Sequence, residues 1–362
     1  MNNRVKNLIS KMNSEGIDVA LIGSAYNREY LSGFTGSNAT LFITKDKQII
    51  ITDFRYLEQV SIQCPDFTVV DQAPIGMQAT ILKLIGEEKA NKADLKVAIE
   101  GDHVTVNEYE KLKDSANIVS TSGLIEEFRQ IKDDNELENL AKAEAIGDIA
   151  FKEIVPFIEA HWHDGLTEAE IALEIECIMR RNGATGTSFD TIVAAGAKSS
   201  LPHAVPDNSK VKKGDFIVMD FGCRYNGYCS DMTRTVVVGE ASEKHKEIYN
   251  TVLKAQLAAL AGAKVGMLGK EVDKIARDII KDAGYGDKFG HGLGHSVGVE
   301  IHEEPRFSVA DENVIKEGMV ITVEPGIYEP GFGGVRIEDM VVMTKDGVKN
   351  LTHSPKELIV IP

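Results

Sequence analysis

The stretch from Asp215 to Val238, DFIVMDFGCRYNGYCSDMTRTVVV, constrains the fold more than any other, because it plants two carboxylates inside one predicted hairpin. Apolar runs flank Asn226-Gly227, and Asn-Gly is the strongest short signal for a two-residue type I′ turn. With that pair as the loop, Asp220 stands opposite Thr233 and Asp231 opposite Gly222. The two aspartates then become diagonal neighbours on one sheet face, about 7–8 Å apart at most. Carboxylates aimed at one spot repel each other and lose hydration, so a cation beside them is the simplest way to keep them ionised. A solvated sheet face carrying both aspartates is the plainer alternative, although strands are poor in Asp.

Three more potential ligands lie in equally unusual surroundings: His295 in HGLGHSVG, Glu324 in VITVEPGIY and Glu338 in GVRIEDMVVMT. Each sits in or beside a glycine-rich or strand-like segment, where a polar group on an apolar stretch needs a reason. Together they make an Asp, Asp, His, Glu, Glu set.

A chain of 362 residues, 43% hydrophobic and 27% charged, has room for two domains and a large core. No run of apolar residues is long enough to span a membrane. MNNRVKNLISKMNSEG lacks the apolar core of a secretory signal and predicts a short amphipathic helix ending at Gly16, so a cytoplasmic protein is expected. Cys64, Cys177, Cys223 and Cys229 form no CxxC pair, which fits reduced thiols, with Cys223 and Cys229 as packing residues. A formal charge of −16 and the lack of a basic cluster argue against a nucleic-acid surface.

Residues 1–128 alternate short strands (IDVALIG, ATLFIT, QIIITD, LKVAIE) with helices near Phe54–Gln63, Gln78–Glu88 and Val106–Lys113, which predicts an α/β domain with a mixed sheet. Gly33 and Gly36 belong to no phosphate-loop pattern, and GFTGSN (33–38) reads as a turn that could line a site. Near residues 126–133 the grammar changes to long helices, and residues 129–362 are read as a second domain. Asp133 with Glu136 and Thr167 with Glu170 have capping-box spacing. Helices at Ser242–Ala261 and Gly269–Ala283 follow, the second closed by Gly284. Strands and turns fill the last eighty or so residues, giving an α+β arrangement of helices over an antiparallel sheet whose exposed face is expected to hold the polar cluster. With no Pro/Gly-rich linker between them, the two halves are expected to pack together.

MDFG followed by SDMTRT, HGLGHSVGVEIHEEP, VEPGIY and VRIED resemble the pita-bread metallopeptidases, which include methionine aminopeptidase, aminopeptidase P and Xaa-Pro dipeptidase. The resemblance implies a pita-bread C-terminal domain with a curved sheet and a pair of divalent metal ions. Asp220 would bind one ion, Asp231 and Glu338 would bridge the two, and His295 with Glu324 would complete the other. Mn2+ is favoured by the Xaa-Pro branch, and Co2+, Fe2+ or Zn2+ also suit the donor set. A water activated to hydroxide between the ions would attack the peptide carbonyl, and Glu324 would carry its proton to the leaving nitrogen.

By the same resemblance His302 hydrogen-bonds the tetrahedral intermediate or the scissile carbonyl. His203 helps hold the residue after the cut, and His291 lines the pocket for its proline ring. Arg336, read as sharing a strand face with Glu338, would orient a ligand carboxylate. His161, His163, His245 and His353 lack such context and are read as structural. The N-terminal half, with NREYLSGFTGSNATLFIT and ITDFRYLEQ, looks like a creatinase-type domain and implies the Xaa-Pro branch and a homodimer. GFTGSN, Asp53 and Arg55 are candidates to reach a partner's site, against a local Asp53–Arg55 ion pair.

The expected activity is release of the N-terminal residue from Xaa-Pro dipeptides or short proline-containing peptides. An aminopeptidase of the same fold with other specificity is the alternative. A non-catalytic pita-bread binding protein disagrees with an intact ligand set. An HExxH zinc helix at His302-Glu303 fails, since Arg306 and Phe307 stand where a second histidine is needed and Pro305 discourages a helix.

Overall fold

Alternation of apolar side chains along three short strands fixes the N-terminal unit. The computed structural model describes residues 2–362, which fall into two compact units divided between Phe128 and Arg129. In the first, β1 (Val19–Ile22), β2 (Ala39–Thr44), β3 (Gln48–Thr52), β4 (Thr68–Asp71), β5 (Lys96–Glu100) and β6 (Asn117–Thr121) form one sheet in the order β4-β3-β2-β1-β5-β6. β1 and β2, and β2 and β3, run antiparallel; the other neighbours are parallel, so the sheet is mixed. Leu41 and Ile50 point into one core with Leu8 and Ile22, while Phe42 and Ile51 point into the other with Val19 and Ile85. That split is the period of two expected of a sheet covered on both faces.

Helices α1 (Asn3–Glu15), α2 (Ala25–Ser32), α3 (Leu57–Gln63), α4 (Met77–Lys89) and α5 (Val106–Leu112) cover it. Asn2 caps α1 by accepting the Val5 N–H, and Gly16, at φ 65°, closes it as expected. α2, β4 and β6 are additions to the elements expected from sequence. α2 buries Asn27 and Arg28, which hides its apolar period, and β4 is only four residues long.

A single turn, α6 (Glu126–Arg129), precedes α7 (Asp134–His161), where the Asp133/Glu136 capping box is present. α8 (Glu168–Arg181) opens with the Thr167/Glu170 box. α9 (Glu243–Gly262) and α10 (Gly269–Ile280) follow; α10 ends before the expected Ala283, in a wider turn at Lys281–Tyr285 that Gly284 closes with φ 89°. These helices pack on β-structure built from β7 (Gly186–Thr187), β8 (Ile192–Ala195), β9 (Phe216–Phe221), β10 (Cys223–Tyr225), β11 (Tyr228–Cys229) and β12 (Met232–Val238). The remaining strands are β13 (Gly294–Ser296), β14 (Glu303–Phe307), β15 (Val320–Val323), β16 (Gly326–Glu329), β17 (Gly333–Arg336), β18 (Asp339–Thr344), β19 (Gly347–Asn350) and β20 (Ile359–Ile361). The two larger sheets have the orders β20-β12-β9-β8 and β14-β13-β15-β18-β19.

Two expectations need correction. The C-terminal β-structure is not wholly antiparallel, because β20 returns along β12 in parallel. Nor does the polar cluster occupy an exposed face: Asp231, His295, Glu338 and Arg336 are all buried, walled in by the segments that surround a cavity.

The predicted hairpin is present in the predicted register. Thr233 pairs with Asp220 and Tyr225 with Tyr228, and Asn226 and Gly227 take φ 47° and 84°, as a type I′ turn requires. Gly222 is needed for a different reason: a Cβ there would lie 1.9 Å from the Ser230 carbonyl oxygen. Gly222→Ala must therefore push apart two segments joined by buried hydrogen bonds. It is expected to lower the stability of the C-terminal unit by about 1–3 kcal/mol, read as a shifted midpoint in denaturant unfolding; an unshifted midpoint would show that the hairpin yields freely.

Candidate metal centre

Two bent hairpins deliver the four carboxylates. In the first, Asp220 lies near the end of β9, and Asp231 precedes β12 where the ladder is interrupted. The second is interrupted twice. β15 stops at Val323 and resumes as β16 at Gly326; β17 stops at Arg336 and resumes as β18 at Asp339. Val323 pairs with Asp339 and Gly326 with Arg336, so the common register sets Glu324 opposite Glu338 in facing breaks. Pro325 has no N–H to give the ladder, a local reason for the break. Arg336 and Glu338 therefore do not share one continuous strand, which corrects the reading from VRIED.

β13 brings the imidazole. Gly294 lets it approach closely, since a Cβ there would lie 1.9 Å from the Thr322 carbonyl oxygen. His295 Nδ1 donates to the Ser296 carbonyl at 3.1 Å, leaving Nε2 as the lone-pair nitrogen. Nε2 lies 3.4 Å from Asp231 Oδ2 and 3.6 Å from Glu324 Oε1. Ligand atoms of Asp231, His295 and Glu338 all fall within 4.8 Å of one another.

Asp220 is held differently. Its Oδ2 accepts from Arg336 Nη2 at 2.6 Å, while Oδ1 is buried without a partner. Arg336 also donates to Thr233 Oγ1 at 3.0 Å and to the Tyr328 hydroxyl at 2.8 Å. Tyr328 in turn donates to His291 Nε2 at 2.8 Å, and His291 Nδ1 donates to the Gly292 carbonyl at 2.7 Å. One chain of hydrogen bonds thus runs from Asp220 through Arg336 and Tyr328 to His291. Glu338 takes its own hydrogen bond from Thr233 Oγ1 at 2.6 Å, and Glu324 takes one from Thr322 Oγ1 at 3.3 Å.

Burial dominates the electrostatics. It raises Asp231 and Glu338 well above the ordinary carboxyl range, with carboxylate neighbours adding to the rise, and it lifts Glu324 to about 8. Burial pushes His295 down to about 3 and His291 to about 4, so both imidazoles are neutral at neutral pH. For Arg336 burial works against the charge, but Tyr328, Asp220 and Glu324 outweigh it and hold the guanidinium protonated. Packed carboxyls, a neutral imidazole with its lone pair turned among them and an orphaned buried carboxylate oxygen form a donor set that fits divalent metal ions.

The site opens into a cavity of about 600 Å³ lined by all nine residues expected from sequence: Asp220, Asp231, His295, Glu324, Glu338, His203, His291, His302 and Arg336. The His302 ring lies edge-on to that of His295, 4.4 Å between centroids, and His203 stands on an exposed loop at the wall. In the N-terminal unit, Arg55 pairs with Asp53 at 2.9 Å, Asn38 donates to the same carboxylate, and Ser37 Oγ meets the Tyr56 hydroxyl at 2.7 Å. The local ion pair is what the structure shows for Asp53 and Arg55.

Three residues at or behind the site escaped the sequence reading. Tyr328 was hidden inside VEPGIY, where an aromatic reads as ordinary strand. Arg306 lines the cavity, and in the sequence it stands out only as occupying a place where a zinc helix needs a histidine. Glu144 is fully buried on α7, accepting the Asp231 N–H at 3.2 Å and the Thr352 hydroxyl at 2.7 Å. Its position on the helix face with Leu140, Ala143, Gly147 and Phe151 is the signal that could have found it.

Comparison with known proteins shows the family. Residues 138–345 match the model of metallopeptidase family M24, and residues 4–131 match the creatinase/prolidase N-terminal domain. A Xaa-Pro dipeptidase from Pyrococcus horikoshii is 39% identical over 99% of both chains. The solved structure of a Xaa-Pro dipeptidase from Bacillus anthracis superposes with a TM-score of 0.92 at 43% identity, covering 99% of each chain. An X-Pro aminopeptidase from Thermotoga maritima gives a TM-score of 0.89 at 37% identity, covering 99% of this chain and 100% of that one.

The raised carboxyls set a pH dependence. Glu324 and Glu144, with an ordinary value of 4.5, titrate at about 8 when folded, so between those limits the metal-free folded chain holds protons that the unfolded chain has released. Stability from these groups is complete below about 4.5, falls as pH rises through the window and levels off above about 8. Divalent metal opposes the Glu324 part of that slope, because binding displaces the proton of a ligand carboxyl and strengthens with pH, while Glu144, which is no ligand, keeps its share. The melting temperature of chelator-treated protein should fall between about pH 5 and pH 8, and that of metal-saturated protein should fall less. Parallel profiles with and without metal would contradict this account.

Proposed function

Because the chain belongs to metallopeptidase family M24, with a creatinase/prolidase N-terminal domain ahead of the M24 region, we propose that it is a two-metal Xaa-Pro peptidase acting chiefly on dipeptides. The observation that carries the reading is the orphaned Asp220 Oδ1, buried in the same cavity as three further carboxyls and the lone pair of His295. Asp220, Asp231, His295, Glu324 and Glu338 would hold the ions. An oxygen-rich set with one imidazole suits Mn2+, with Co2+, Fe2+ and Zn2+ compatible. When bound, such a pair activates a water towards attack and neutralises charge growing on the carbonyl oxygen.

The chain's own residues supply the rest. Glu324 takes the proton from the attacking water and passes it to the proline nitrogen as the C–N bond breaks, so that the proline leaves as a neutral amine. His302 is kept neutral by burial, with Arg306 adding to the effect, and its remaining N–H serves the carbonyl oxygen. His203 and His291 flank the proline. Arg336 holds and orients Asp220 through its 2.6 Å contact, and Tyr328 locks Arg336 in turn. A bond preceding proline has no N–H, so a site that asks for no hydrogen bond from that nitrogen accepts it.

Preference for dipeptides is supported by Arg306. This guanidinium at the cavity wall is half-exposed, and its acidic partner, Glu304 at 3.1 Å, is itself exposed. A dipeptide places the free carboxylate of its proline on the leaving side, where a cation is useful; a longer peptide places a neutral amide there.

Purified protein with Mn2+ should therefore cleave Ala-Pro faster than Ala-Pro-Ala at equal concentration. Chelator should abolish both activities, and Asp231→Asn should lose bound metal and rate together. Arg306→Ala should raise KM for Ala-Pro by about tenfold or more and affect Ala-Pro-Ala less. Efficient tripeptide cleavage would move the protein to the aminopeptidase branch, and activity surviving complete metal removal would end the two-metal reading.

A further inference from the structure

The wall of the cavity that carries His203 is tied down at its base by one buried carboxylate outside the metal centre. Glu168 is the first residue of α8 and is fully buried. Its Oε1 accepts the N–H of Ala195, the last residue of β8, at 2.8 Å. Its Oε2 accepts from Lys198 Nζ at 2.6 Å and from the N–H of Asp207 at 3.3 Å. Lys198 reaches on to the Asp207 carboxylate at 2.7 Å. Between those two fastened ends runs the loop whose Pro202, His203, Ala204, Val205 and Pro206 line the cavity.

The loop is tied to the metal centre at its start and again near its middle. β8 pairs with β9 in a register that sets Ile192 opposite Asp220, so Ala195 starts the loop from the ligand strand's neighbour. Inside the loop, the Pro202 carbonyl accepts from Arg336 Nη1 at 3.3 Å, next to His203. His203 and Val205 are exposed, Val205 at 77%, with Ala204 buried between them, while nearer the start of the loop Ser199 is buried and accepts the Gly334 N–H at 2.8 Å. That packing and bond hold the first half of the loop, so the return from His203 to Asp207 leans on the polar staple at its base.

We propose that Glu168 is a positioning residue for the peptidase reaction, closing the base of the 195–207 loop with Lys198 and thereby setting how His203 meets the proline after the scissile bond. The carboxylate is suited to this because both loop-end N–H groups and the lysine are donors, and only a group with two acceptor oxygens satisfies all three. Glutamine in its place turns an NH2 towards donors whichever way it faces. A misplacement of about an ångström at a group beside the reacting bond costs up to about a hundredfold in rate. The inference rests on the proposed role of His203 in the Xaa-Pro reaction.

The test is a double-mutant cycle on the Mn2+-loaded enzyme with Ala-Pro, using Glu168→Gln, Lys198→Met and His203→Ala, alongside amide hydrogen exchange on the metal-free chain. Glu168→Gln is expected to lower kcat/KM by about ten- to a hundredfold with bound metal unchanged, and to speed exchange at Ala195 and Asp207. In the His203→Ala background the same substitution should cost less than about threefold, because the group it positions is gone. Lys198→Met should act in the same direction and serves if Glu168→Gln does not fold. A loss that persists undiminished without His203 would reduce Glu168 to a purely structural role and overturn the proposal, as would a deficient His203→Ala beside normal Glu168→Gln and Lys198→Met enzymes. Full activity in His203→Ala would remove the role of His203 and this inference with it, whereas an inactive wild type with the expected exchange behaviour would fault the peptidase reading and leave the loop staple standing.

Discussion

Mutual repulsion among buried carboxylates is the constraint around which the C-terminal unit is arranged. Asp231, Glu324 and Glu338 share one cavity, and each loses far more hydration than its few hydrogen bonds restore. Such a cluster survives folding only by keeping protons or by meeting cations, and the raised carboxyls show which way the metal-free chain goes. Arg336 pairs with a ligand carboxylate there, and that carboxylate is Asp220. The remaining charge is what divalent ions would neutralise, so metal affinity and folding stability draw on the same interaction.

What forces the carboxylates together is backbone geometry. Each bent hairpin has its acidic pair near or across a place where the ladder fails, and the failures have identifiable causes. At Gly222 the opposing chain passes so close that a side chain is excluded; at Pro325 the backbone has no donor to offer. The flanking strands are almost wholly buried on both faces, which locks the register, since a slip by one residue would send every ligand to the opposite face. Polar contacts then join the hairpins: the Glu338 N–H donates to the Thr233 carbonyl at 3.1 Å, and Thr235 Oγ1 to the Arg336 carbonyl at 2.9 Å.

The parts of the site legible in sequence are those that ride on strong local signals. Asn226-Gly227 dictates a turn, the turn dictates a register, and the register brings Asp220 near Asp231 without knowledge of anything else. The four-carboxylate set was visible because Glu and Asp are rare in apolar strands. Glu144 and Glu168 were not read, because a charge on a helix looks solvated until the neighbouring elements are known. The cluster was expected on an exposed face for a related reason: hairpin periodicity gives the faces of a strand but not what covers them, and here both faces are covered. Tyr328 was missed because its role lies in its hydroxyl, whose partners, Arg336 and His291, approach from separate segments.

The fate of Glu303 shows why spacing alone is weak evidence for chemistry. His302-Glu303 begins like a zinc-helix motif, yet Glu303 opens a strand, β14, and its carboxylate belongs to a buried ion cluster. Arg129 donates to it at 2.6 Å and Lys132 at 3.1 Å, and Arg129 also reaches Glu300 at 3.0 Å. Two buried cations hold Glu303 ionised against a burial that would otherwise protonate it. Removing Glu303 would strand Lys132 as a buried charge without its carboxylate, so the cluster fixes the 298–303 segment more by the cost of breaking it than by the energy of forming it. His302 is the last residue of that segment before Glu303. The carboxylate that resembles a general base is thus occupied elsewhere, holding the backbone from which the neighbouring histidine faces the cavity.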